Sequence, residues 1–224
     1  MKKYSLNRKT NAAKCIRLVF ILMVSFSLVS TATFEQRTKQ DNAPAISSEG
    51  TSKTWGKIDG ISIQGLVEGP ATAVTPLQIA CVFEYTEGDI FNSPPALPAA
   101  LNGVVHLDEA LNGIITDLRK SGKFSGHTFE TIVITPPAGK LKAPKLLLIG
   151  LGDRNKFTPG LMISVGSVAL REAMNAGVTN FAFASDLKDG GIASPTAVVA
   201  GNIARGIRKE YGTQEFLKGK KMGG

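Results

Sequence analysis

The stretch LLLIGLGDR, residues 146–154, brings residue types and spacing nearest to ligand chemistry. An apolar run enters a glycine pair, Gly150 and Gly152, then Asp153, and Thr158-Pro159 signals a helix start soon after. Strand, glycine turn and helix can together cradle a phosphate, because the first backbone N–H groups of a helix lack intrahelical partners. Gly150, Gly152 and Asp153 are therefore the candidate ligand-binding residues. The pattern is incomplete. A dinucleotide fingerprint, G-x-G-x-x-G, needs a third glycine for close helix–strand packing, and Asn155 stands in that place. There is no Walker lysine pattern either, so the alternative is a turn that only connects two elements.

Other chemistry has less support. Metal sites need three or four convergent ligands, and the two histidines, His106 and His127, have no H-E-x-x-H or paired-cysteine spacing beside them. No G-x-S-x-G elbow is present, and Ser167 falls inside a helical pattern. Asp186 and Asp189, in SDLKDGG, resemble a hydrophilic turn and lack the D-x-D-x-D-G spacing of a calcium loop. Cys81 sits in an apolar stretch, QIACVFEY, as a small buried hydrophobe would. The expectation is no catalytic residue, no metal ligand and no cofactor.

The formal charge is +8, but six of the basic residues precede residue 18 with no acid among them. Twenty basic and eighteen acidic residues remain beyond that point, and only Lys218, Lys220 and Lys221 cluster. Nucleic-acid binding needs a basic patch on the folded part, so no nucleic-acid partner is expected. The basic residues up to Arg17 are followed by LVFILMVSFSLV, residues 18–29, and then by Ser30-Thr31-Ala32. This is the order of a signal peptide. Its twelve-residue apolar run would rise only about 18 Å as a helix, short of a hydrocarbon core of about 30 Å. Residues 1–32 are expected to be a signal peptide cleaved near Ala32, leaving a periplasmic or secreted protein. The membrane would be met only through that segment, if uncleaved. Residues 33–57, polar and poor in large apolar side chains, are expected to be a flexible linker.

From Ile58 onward strands and helices alternate. Strands are expected at 61–67, 79–83, 131–135, 146–151 and 178–184, with 146–151 central because it is apolar throughout. One helix is expected from an Asp108 cap to Lys120, a second from Thr158-Pro159 with an exit at Gly177, and a third from Ser194-Pro195 to about Lys209. The loop 92–102 is broken by three prolines. This order predicts an α/β fold with a largely parallel sheet.

Three pieces in order carry a family resemblance: LNGIITDLRKSGKFSGHTFETIVI, APKLLLIGLGDRNKFTPGLM and AGNIARGIRKEYGT. From Leu111 to Leu217, and more weakly back to Ile58, the chain resembles the N-terminal domain of the M17 leucyl aminopeptidases. The resemblance implies a three-layer, macrodomain-like α/β fold, a mixed and mostly parallel sheet flanked by helices, over residues 58–217. Residues 218–224 would be a basic tail. In that family the peptidase chemistry lies in a larger C-terminal domain that holds two metal ions. The Asn-Thr-Asp-Ala-Glu-Gly-Arg-Leu motif of that domain does not occur here, so the resemblance carries over the fold and no catalytic residue. True macrodomains bind ADP-ribose along comparable loops, but their Asn-Ala-Ala-Asn segment is absent. The expected function is an exported, non-catalytic binding or interaction module, whose partner would be a peptidase catalytic chain or an envelope protein. The alternatives are an accessory part of a metal-dependent aminopeptidase, and a nucleotide or ADP-ribose-like ligand binder built on Gly150, Gly152 and Asp153.

Overall fold

The computed structural model describes residues 48–85 and 96–222. The expected signal segment, its cleavage point at Ala32 and most of the expected linker lie outside the described residues. The described part holds a hairpin, β1 (Ser52–Ile58) with β2 (Ile61–Leu66), and a four-stranded sheet. Numbered along the chain, the sheet strands are β3 (Gln78–Val82), β4 (Thr131–Ile134), β5 (Leu146–Gly150) and β6 (Ala182–Ala184). The helices are α1 (Gly103–Ala110), α2 (Ile114–Lys120), α3 (Leu161–Asn175) and α4 (Thr196–Met222).

The sheet order is β4-β5-β3-β6. β5 and β6 run parallel to β3, and β4 closes one edge antiparallel to β5. β3 and β5 are central and buried along their whole length, as the unbroken apolar run of β5 requires. Successive side chains of a strand point to opposite faces, and the core divides accordingly. Ile79, Cys81, Leu147 and Ile149 meet Met162, Val165 and Ala169 of α3 and Val199 and Ile203 of α4. Ala80, Val82, Leu146 and Leu148 meet Val104 and Leu107 of α1, Leu111, Ile115 of α2 and Phe124. The result is an α/β fold of three layers, a mixed sheet between two helical layers.

The strand expected over 178–184 is only β6, Ala182–Ala184, and three other elements depart further from the sequence expectation. The helix expected over 108–120 is two helices. Asn112 and Gly113 are both left-handed, at φ 57° and 85°, and an Asn-Gly pair in that region ends a helix. Asp108 does cap a helix, but from inside α1. Its buried carboxylate accepts the Ile115 and Thr116 N–H groups at 2.8 and 3.1 Å and the Thr116 hydroxyl at 2.6 Å, at the start of α2. The end of the expected linker is strand: β1 pairs with β2 around a bulge between Thr54 and Gly56. Every residue of β1 is exposed, which is why its composition resembled a linker. Trp55, 59% exposed, lies over Gly65, where an added Cβ would enter the indole ring. Finally, α4 continues to Met222, so residues 218–222 are helix where a basic tail was expected.

α3 and α4 run parallel and touch backbone to backbone. Ser167 Oγ donates to the Gly206 carbonyl at 3.0 Å, Asn202 Nδ2 to the Pro159 carbonyl at 2.7 Å, and Arg171 clasps Glu210 through two bonds of 3.1 Å. The Arg171 guanidinium holds the Glu210 carboxyl below its ordinary range.

Candidate functional site

The N–H groups of Gly150, Leu151 and Gly152 are all taken within the fold. Gly150 donates to the Glu130 carbonyl, Leu151 to that of Val82 and Gly152 to that of Gly126, at 2.8 to 2.9 Å. Gly150 is glycine because a Cβ there would strike the Gly126 and His127 backbone. Gly152 is glycine because its φ is 73° and Thr128 fills the space beside it. Asp153 caps the short 3-10 turn Arg154–Lys156, accepting the Asn155 N–H at 2.9 Å and facing Lys156 at 3.4 Å. These two contacts, the Asn155 N–H first, hold its carboxyl below the usual range. The start of α3 is equally committed: Leu161, Met162 and Ile163 donate to Thr158, Pro159 and Gly160. An anion nest does exist nearby, and the chain fills it itself. Glu130 Oε2 accepts the N–H groups of Ser125, Gly126 and His127 at 3.0, 2.8 and 3.0 Å.

One cleft lies elsewhere, at the carboxyl end of β3. It is lined by Cys81, Phe83, Asn102, Arg119, Asp186 and Asp189, among others, and not by Gly150, Gly152 or Asp153. Its cavity is about 30 Å³, room for a water or two, against several hundred Å³ for a pocket that encloses a small ligand. Asp186 is turned inward by a left-handed φ of 49° and accepts the Cys81 N–H at 3.1 Å. Asp189 accepts the N–H groups of Gly103 and Val104 at the start of α1, at 2.8 and 3.3 Å. Asn102 caps the same helix through Val104 and Val105, both at 3.1 Å. Arg119 is buried, donates to the Phe83 carbonyl and lies 5.3 Å from the centre of the Tyr85 ring. Arg154 donates to the Gly190 carbonyl at 3.2 Å.

Burial raises the Asp186 carboxyl well above its ordinary value, and the neighbouring Asp189 adds to the shift. Burial raises Asp189 as well, against the α1 N–H groups that lower it. The Cys81 thiol is pushed up by burial and then by Asp186, which keeps it neutral and inert. The sequence shows Asp186 and Asp189 as polar turn residues. Their one signal is the Asp-x-x-Asp spacing before Gly190-Gly191, which does not reveal that they face inward. His106 and His127 are exposed, and His127 Nδ1 lies 2.9 Å from Glu84. Among the described residues no group of three or more His, Cys, Asp or Glu side chains could hold a metal ion.

Comparison with known proteins adds the family. The profile of the cytosol aminopeptidase family, N-terminal domain, matches residues 90–218. Three relatives, each described as "Probable cytosol aminopeptidase", come from Sulfurihydrogenibium sp., Roseiflexus castenholzii and Geobacter sulfurreducens. They are 34%, 37% and 30% identical over 67, 76 and 104 residues. Those alignments cover 30%, 34% and 46% of this chain, and the chain spans only 13%, 15% and 20% of the relatives' lengths. A solved tomato leucine aminopeptidase mutant is 24% identical with a TM-score of 0.45, over 63% of this chain and 28% of that one.

Proposed function

Because the chain belongs to the cytosol aminopeptidase family through that family's N-terminal domain, we propose that it serves as an exported, non-catalytic interaction module of an aminopeptidase system. Hydrolysis in this reading belongs to a separate metal-bearing catalytic part, and the domain contributes packing against it or against an envelope protein. The observation that carries the proposal is the far end of α4. Arg171, one turn before α3 ends, is matched with Glu210, and α4 runs on for three more turns. Residues 215–220 are exposed, with Phe216 at 62% and Leu217 at 44% beside Lys218 and Lys220. A helix end that leaves two large apolar side chains in water, rimmed by charge, is suited to a protein contact. The ligand-binding alternative on Gly150, Gly152 and Asp153 has no comparable support, since the Gly150 and Gly152 N–H groups and the Asp153 carboxylate already have partners.

The test is a mild-detergent pull-down of the tagged full chain from its own cells, with and without Phe216→Glu. A stoichiometric peptidase or envelope protein should be recovered and lost in the variant, while the two proteins melt at the same temperature. The purified chain should leave a leucine anilide intact with manganese or zinc; turnover by this chain alone would sink the proposal. Export is checked separately. The mature protein should begin just after Ala32, and an N-terminus that still carries Met1 would defeat cleavage.

A further inference from the structure

We propose that α4 carries a phosphate-binding site in the groove between its middle turns and the tip of the β1–β2 hairpin. The groove is lined by Asp59, Arg205, Arg208, Lys209 and Gly212, and its volume is about 350 Å³, against about 30 Å³ for the cleft at the end of β3. That is the lower end of the range for pockets that take a small ligand. Residues 205, 208, 209 and 212 recur at i, i+3, i+4 and i+7, which puts them in one stripe along the helix. Ile203, Gly206 and Glu210 take the face of α4 that meets α3. The three cations of the stripe are left exposed.

The charge in the groove does not balance. Three cations meet one carboxylate, an excess of +2. That carboxylate, Asp59, stands at the hairpin tip with a left-handed φ of 48° and accepts from Arg208 Nε at 2.7 Å. It engages one of the five guanidinium donors. Arg205 has one bond, of 3.4 Å, to Asn202 Oδ1, and the Lys209 side chain has no partner among the described residues. The next acids along the helix are committed, Glu210 to Arg171 and Glu215 to Lys218. A solvated helix face interleaves acids with bases and gains from their pairing. This stripe has no acid of its own, so its like charges repel until an anion joins them.

A phosphate group, with a charge of about −2 near neutral pH, cancels the excess that a second carboxylate would only halve. The guanidinium forks of Arg205 and Arg208 match its oxygens, and Lys209 adds a point charge. Gly212 leaves room, since an added Cβ there would meet nothing within 4 Å. The ligand is recognised by its phosphate, borne on a small soluble molecule or on a lipid headgroup.

The probe is inorganic pyrophosphate, titrated calorimetrically into the full chain at low salt. Uptake should saturate and should weaken as chloride is added, because the groove is open to water. Arg205→Gln and Lys209→Gln each remove a charged donor without breaking an ion pair, and each should weaken binding about tenfold. Gly212→Glu places an acid in the stripe, removes no cation and should weaken binding as far. Lys123→Gln removes the same charge from an exposed position beside Phe124, in the opposite helical layer, and should bind as wild type does. Sedimentation with phosphatidic acid vesicles reads the source of the phosphate. Capture that falls in the three groove variants makes it a headgroup, and pyrophosphate uptake without that fall makes it a free phosphate. No saturation in the millimolar range and no variant-sensitive capture, or a Lys123→Gln chain weakened as far as the groove variants, would overturn the site.

Discussion

Gly206→Ala lowers the stability of the whole domain by about 3 kcal/mol. The added methyl falls on the carbonyl oxygen of Ile163, in the backbone of α3, with the Ser167 N at 2.9 Å. No side chain can swing aside, so α3 and α4 must separate. Gly166 is the reciprocal contact, set against the Ile203 carbonyl. Overpacking a filled interface costs about 1–3 kcal/mol and more where backbone is struck. The better helix propensity of alanine returns only about 1 kcal/mol. Separation also loosens Val165 and Ala169 from Val199 and Ile203, the core on that face of the sheet. At roughly 2–4 °C per kcal/mol for a chain of this size, thermal melting followed by far-UV ellipticity should fall by about 6–12 °C. An unchanged melt would mean that the helices do not cross at Gly206.

Asp108→Ala has the second largest effect, again about 3 kcal/mol. Its carboxylate satisfies two backbone N–H groups and a hydroxyl where α2 begins. Losing a cap costs about 1–2 kcal/mol, and leaving a buried donor without an acceptor costs about 1–3 kcal/mol. Asp108→Asn retains one acceptor oxygen and should lose about half as much. The check is the urea midpoint at constant slope, since a changed slope would signal an altered unfolded state instead. If Asp108→Ala unfolds at the wild-type midpoint, α2 does not depend on that carboxylate.

The layered fold was legible because its strongest signals are local. The run Leu146–Ile149 is apolar at every position, which only a central strand covered on both faces accommodates, and β5 is that strand. α3 shows its apolar stripe in Val165, Ala169 and Ala173. The break between α1 and α2 was also local, in Asn112-Gly113, but the apolar spacing across it imitates one continuous helix. The cleft was not legible. Gly150 and Gly152 announce that something comes close, without saying whether it is a ligand or the backbone of residues 126–128. Asp186 and Asp189 have the composition of any exposed turn; they face inward because the end of β3 and the start of α1, more than eighty residues away in sequence, offer N–H groups there. Arg119 sits at the end of an amphipathic helix, where solvent is the default, and is buried because the Phe83 carbonyl and Tyr85 ring are brought beneath it.

Trp55 is the chain's single tryptophan, and it lies on the hairpin, outside the matched residues 90–218. Its fluorescence is therefore a local gauge. A two-stranded hairpin is marginally stable by itself in water; among the described residues the indole lies over Gly65 and a 2.7 Å ion pair joins Asp59 to Arg208 of α4. Ellipticity at far-ultraviolet wavelengths reads α1 to α4 instead. An unfolding curve drawn from tryptophan emission alone would report when the hairpin lets go, and the interval between the two optical midpoints would measure how independently it does so.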